Sequence, residues 1–111
     1  TACEQRYDYL FVKDFALGIL KVVNDTKAKS GIYNMSSGKS YRLKDILTYI
    51  ESKISVENKL LKMGALDYRP NQVMHMEGNS ELFYSQFNFK SEFTIYQGLD
   101  ITINYYHDKY I

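Results

Sequence analysis

Apolar positions recur along this chain with helical spacing in some segments and as short runs in others. Phe15, Ile19, Val22 and Val23 fall at i, i+4, i+7 and i+8, which predicts a helix from Asp14, its cap, to about Val23. Leu43, Ile46, Leu47, Ile50 and Ile54 predict a second helix. Near the end, Thr94 and Gln97 form a T-x-x-Q capping box, and Ile95, Leu99, Ile103, Tyr106 and Tyr110 line one face of a last helix. Asn79 is placed as the N-cap of a short helix reaching about Gln86. Residues 8–12 ("DYLFV") and Ile32–Met35 ("IYNM") read as short strands. Lys59–Gly64 and Val73–Met76 read as extended. The segments Asn24–Gly31 and Ser36–Ser40 are polar or small and read as turns. The expected fold class is therefore α/β: a small mixed α+β lobe of short strands with about four helices. It is too small for a full doubly wound sheet.

Composition narrows the classes of function. The 111 residues suit one domain, and a net charge of +1 gives no broad field to recruit nucleic acid or an anionic membrane. No apolar run approaches the roughly 20 residues of a membrane span. The single cysteine, Cys3, excludes an intrachain disulfide and fits a reducing, cytoplasmic setting. The chain opens on Thr1 rather than Met, so a processed product or a fragment is expected.

Catalytic and metal patterns are absent from the sequence. His75 and His107 have no partner at metal-ligand spacing, and Cys3 has no recognisable base beside it. "SSGKS" has the residue types of a phosphate loop without its spacing. The one unusual feature is "YRPNQVM", which holds the only proline. Pro70 fixes its own φ and holds Arg69 extended. A guanidinium aimed in this way suits phosphate or carboxylate.

Four segments in order resemble one family. "DYLFVKDFALGILKVV" is similar to R-D-[YF]-x-[YFH]-V-x-D-x-A-x-A, and "SGIYNMSSGKSYRLKDIL" to G-x-Y-N-[IVL]-G-[ST]-G followed by a helix. "YRPNQV" is similar to R-P-G-[DE], and Phe87–Tyr106 to the family's closing G-[FW]-x-P…G-[IL]…W-[YF] segment. The chain thus resembles the carboxy-terminal, substrate-binding part of nucleotide-sugar epimerases and dehydratases of the extended short-chain dehydrogenase/reductase family. The resemblance implies NAD or NADP in the parent enzyme, on an amino-terminal Rossmann domain of the same protein, and no cofactor in this chain. It implies a nucleotide-diphosphate sugar as ligand, and leaves room for a homodimer. Arg69 matches the arginine that contacts the substrate diphosphate, Tyr9 the aromatic of R-D-[YF], and Leu43 a position near the base or ribose.

Departures accompany the match. Tyr7 replaces the motif's first arginine, with Arg6 one place earlier, and Asn71-Gln72 replaces Gly-[DE], where the acidic residue lies near ribose or phosphates. Ser36 replaces a glycine, and "GNSEL" departs from A-D-x-[ST]-K. The expected function is nucleotide-sugar diphosphate binding, with Arg69, Tyr9, Gln72, Leu43, Tyr7 and Arg6 as site residues and catalysis supplied elsewhere. The alternative is a stand-alone nucleotide-binding or protein-interaction module without catalysis.

Overall fold

A computed structural model describes residues 1–54 and 60–110. The element order is β1 (Arg6–Asp8), α1 (Val12–Asn24), β2 (Ser40–Arg42), α2 (Leu43–Ile54), β3 (His75–Met76), α3 (Glu81–Phe87) and α4 (Ile95–Tyr110). This is the small mixed α/β class read from the sequence, with four helices and a three-stranded sheet among the described residues.

The sheet has order β2-β1-β3. β1 pairs antiparallel with β2, Tyr7 opposite Tyr41, and parallel with β3, Tyr7 opposite Met76. The first strand is therefore at 6–8, not 8–12. Residues 6–8 find partners along both edges, whereas the apolar run after them is already turning into α1. Ile32–Met35 is not a strand. Ile32 is 92% exposed, while Tyr33 and Met35 pack on the Phe83, Phe87 and Phe89 cluster instead of a ladder. Ser40–Arg42, between the turn expected at Ser36–Ser40 and the second helix, form β2. Of the predicted extended stretch 59–64, Lys59 lies outside the described residues and the rest forms no strand. The Gly64 N–H donates to the Thr1 carbonyl at 2.8 Å, tying this loop to the chain start.

Only some helix starts are closed by side chains: α1 begins at Val12 after Phe11 with no side-chain cap, so Asp14 lies inside its first turn and is not the cap expected of it. At α4 the Thr94 N–H donates to Gln97 Oε1 at 2.9 Å and the Gln97 N–H to Thr94 Oγ1 at 3.3 Å, a closed capping box. Ser80, not Asn79, precedes α3, and Asn79 Oδ1 accepts the Glu81 N–H at 2.9 Å from one residue further back. Ile95, Leu99 and Ile103 of α4 are half-buried, while Tyr106 and Tyr110 at its end are exposed.

In α1 the inward face is turned by about one residue from the stripe the apolar spacing predicts, and of that stripe only Val22 packs on the core. Phe15, Ile19 and Val23 are exposed, Val23 by 73%, and Asp14, Gly18 and Val22 turn inward. Two contacts explain this. Asp14 is 0% exposed, and its carboxylate accepts the N–H groups of Glu92 (2.8 Å) and Phe93 (3.2 Å). Gly18 lets the helix approach Met35 and Phe83 so closely that a Cβ there would lie 2.6 Å from the Met35 sulfur.

The buried apolar set is small: Cys3, Ile46, Phe83, Phe87 and Phe89 among the described residues. The surface is correspondingly large. It is 8506 Å², where a compact monomer of this mass has roughly 6,300 Å². The Cα radius of gyration is 17.1 Å, against roughly 13 Å for a compact chain of this length. The chain is a slab with extents of 53 × 38 × 17 Å.

Replacing Asp14 by alanine leaves two part-buried N–H groups without their acceptor. The expected cost is roughly 2–4 kcal/mol, read as a lower midpoint in urea unfolding. A midpoint equal to that of the parent would show that the 92–93 loop does not depend on this carboxylate.

Candidate functional site

The Arg-Pro corner is a β-turn. The Gln72 N–H donates to the Arg69 carbonyl at 3.1 Å, and Asn71, third in the turn, has φ +60°. Proline second and a left-handed residue third are the requirements of a type II turn. Asn71 stands where the family motif has glycine, and asparagine is the side chain that best tolerates this backbone region. The Arg69 side chain is exposed and forms no ion pair with a described residue.

The turn hangs on β1 through side chains. Gln72 Nε2 donates to Tyr7 Oη at 2.6 Å and to the Val73 carbonyl at 3.2 Å. Tyr7 Oη in turn donates to the Val73 carbonyl at 2.7 Å. The Tyr68 hydroxyl accepts the Glu4 N–H at 2.7 Å on the other side of the corner. Tyr9 follows the end of β1. Burial, then the neighbouring Tyr7 and Cys3, raise its phenol above the ordinary tyrosine value. Tyr9 also lines a cleft of about 270 Å³ with Phe11, Lys39, Tyr41 and Phe93.

The structure therefore joins Arg69, Gln72 and Tyr7 through the turn, while Tyr9 lies just past β1 in the cleft with Phe11, Lys39, Tyr41 and Phe93. It does not bring Leu43 or Arg6 to them. Leu43 opens α2 after β2, on the opposite edge of β1 from the turn, where its N–H donates to the Gln5 carbonyl at 2.9 Å. Arg6 alternates to the other face from Tyr7, and its guanidinium donates to the Ser40 carbonyl at 3.0 Å.

A second polar cluster has no motif in the sequence to mark it. The Asp8 carboxylate accepts Ser37 N–H (2.9 Å), Ser37 Oγ–H (2.6 Å), Gly38 N–H (2.8 Å) and Gly78 N–H (3.3 Å). Beside it, Glu77 accepts the Ser40 N–H at 2.8 Å and His75 Nε2 lies 3.0 Å from Ser40 Oγ. Ser40, His75 and Glu77 do not form a nucleophile relay. Glu77 faces the same ring nitrogen that meets the serine, at 3.9 Å, and Ser40 is buried. The signal available in sequence was the pair of aspartates flanking "YLFVK", both of which have structural acceptor roles. Among the described residues no group of His, Cys, Asp and Glu side chains could hold a metal ion.

Hydrogen bonds from the Ser40 hydroxyl and N–H, with His75 nearby, hold the Glu77 carboxyl below its ordinary range. Unfolding exposes a carboxylate that takes up a proton at higher pH than the folded one. The contact thus stabilises fully above the ordinary glutamate pKa and is lost as pH falls through the lower folded value. Glu77→Gln is expected to flatten this acid limb in a plot of melting temperature against pH. An unchanged limb would remove Glu77 from the account.

No protein-family model matches the chain. No curated protein matches it. Solved structures do match. The enzyme WbmF of Bordetella bronchiseptica, in complex with NADH, superposes with a TM-score of 0.77 at 25% identity, covering 98% of this chain and 31% of that one. The dTDP-glucose 4,6-dehydratase of Bacillus anthracis, in complex with NAD, gives 0.75 at 18% identity, covering 97% and 33%. An epimerase of Methanothermobacter thermautotrophicus gives 0.79 at 15% identity, covering 97% and 32%. The chain spans about a third of the length of these proteins. Motif order in the sequence and fold in space agree: over nearly its whole length the chain resembles a third of a member of the NAD-dependent epimerase/dehydratase family.

Proposed function

We propose that this chain is the substrate-binding part of an NAD(P)-dependent nucleotide-sugar epimerase or dehydratase, and that Arg69 contacts the substrate diphosphate. The observation that carries the reading is the 69–72 turn. It presents an arginine without an ion-pair partner among the described residues, on a backbone restricted by Pro70 and by the left-handed Asn71. A guanidinium carried on such a backbone offers parallel donors to phosphate oxygens. Binding energy at a diphosphate, away from the reacting carbon, orients the sugar for chemistry elsewhere in the site. Tyr9 supplies a half-buried ring in the cleft with Lys39 and Tyr41.

The catalytic groups and NAD(P) belong, on this reading, to an amino-terminal Rossmann domain. The sequence has no glycine-rich strand-to-helix turn of the kind a dinucleotide pyrophosphate needs. The surface supports a covering domain. Val12, Phe15, Ile19, Leu20 and Val23 of α1 are all exposed, on a chain whose area far exceeds that of a compact monomer. That apolar face favours this reading over a stand-alone binding or interaction module, which would present polar groups there.

Two measurements on the full-length protein test the reading. Arg69→Ala is expected to weaken UDP or dTDP binding by roughly 10–100-fold, the worth of a charge-assisted contact, with Arg69→Lys between the two. Equal affinity in Arg69→Ala would take the diphosphate away from this residue. Ile19→Glu is expected to lower the unfolding temperature by several degrees if α1 is covered. An unchanged temperature would place that face in water and favour the stand-alone module.

A further inference from the structure

Tyr7 and Gln72 are two of the positions where this chain departs from the family motif, and they are in direct contact. Their hydrogen bonds leave little choice of orientation. The single Tyr7 hydroxyl proton goes to the Val73 carbonyl at 2.7 Å, so the oxygen turns a lone pair toward Gln72. Gln72 must therefore present its NH₂ group, which it does at 2.6 Å, and that group also reaches the Val73 carbonyl at 3.2 Å. Three polar groups close a ring around the last residue of the turn. Tyr7 itself is fixed by strand pairing on both sides, to Tyr41 and to Met76. Its hydroxyl proton and its lone pair toward Gln72 are both occupied by the protein.

We infer that Tyr7 and Gln72 are positioning residues: they hold the turn that carries Arg69, and they do not themselves contact the ligand. The inference rests on the proposed role of Arg69 and deepens it. The turn is then constrained at each residue that follows the arginine. Pro70 limits φ, Asn71 occupies the left-handed region, and Gln72 is tied to a strand through Tyr7. Arg69 becomes the cation on which ligand charge depends, and the neutral Tyr7–Gln72 pair sets where that cation stands.

The test uses the full-length protein and two readouts. The first needs no ligand: amide hydrogen exchange in peptides spanning residues 66–74. The Gln72 N–H is bonded to the Arg69 carbonyl. Tyr7→Phe keeps the ring but removes the hydroxyl, and is expected to speed exchange in this segment roughly three- to ten-fold, the range of one net hydrogen bond. Exchange equal to the parent's would overturn the inference, whatever the ligand result. The second readout is UDP affinity in a double-mutant cycle. Tyr7→Phe alone is expected to weaken UDP binding by roughly the same three- to ten-fold. In an Arg69→Ala background it is expected to have no further effect, because it acts through Arg69. A Tyr7→Phe loss that persists undiminished without Arg69 would make Tyr7 a direct ligand contact and overturn the inference. If the parent protein binds neither UDP nor dTDP, the diphosphate reading fails. The exchange experiment then still decides whether Tyr7 holds the turn.

Discussion

The Asp8 carboxylate is the point at which three separate stretches of this chain meet. It accepts hydrogen bonds from Ser37, Gly38 and Gly78 while its own backbone ends β1. The ladders it supports are very short: β1 and β2 have three residues each and β3 has two. Ladders of that length supply few backbone bonds, so a charged acceptor that gathers four donors does much of what a longer sheet would do. It sets the turn before β2 and the segment after β3 against the same strand.

A second aspartate repeats the device in the first turn of α1. Buried Asp14 takes the two N–H groups of Glu92 and Phe93 and so places the approach to α4. Between these anchors lies a core built from Phe83, Phe87 and Phe89, with Tyr33 and Met35 packed against it. The edge-to-face ring contacts in that cluster, such as Tyr33 with Phe87 at 5.1 Å, favour a defined arrangement over a loose one. The core is small beside the surface it must stabilise. The cost is visible on α1, whose apolar residues face outward because its inward positions are occupied by a carboxylate, a glycine and a valine.

The candidate site inherits its geometry from the same strand. β1 carries Asp8 toward the Ser37 turn and Tyr7 toward Gln72. One three-residue strand therefore fixes both the frame and the corner that presents Arg69. Substitution of asparagine for the motif's glycine at position 71 is compatible with that corner, since the turn asks only for a residue that enters the left-handed region. At the position of the motif's first arginine, Tyr7 forms a hydrogen-bonded neutral pair with Gln72, and the neighbouring Arg6 guanidinium is engaged with the Ser40 carbonyl.

By itself the sequence determined the helices, the mixed α/β class and the Arg-Pro corner. These depend on local chemistry: the spacing of Leu43, Ile46 and Ile50, the Thr94–Gln97 capping box, and the restriction proline places on its neighbours. The order of four motifs also carried the family resemblance, which the fold then bore out. Tertiary structure alone decided which way α1 faces, because a buried Asp14 with two N–H partners and a close-packed Gly18 turn the helix so that only Val22 of its apolar stripe reaches the core. It alone decided that 40–42 rather than 32–35 pairs with β1, since a strand of three residues is defined by its partner and not by its propensity. And it alone joined Tyr7 to Gln72, 65 residues apart, a contact that no spacing along the chain could reveal.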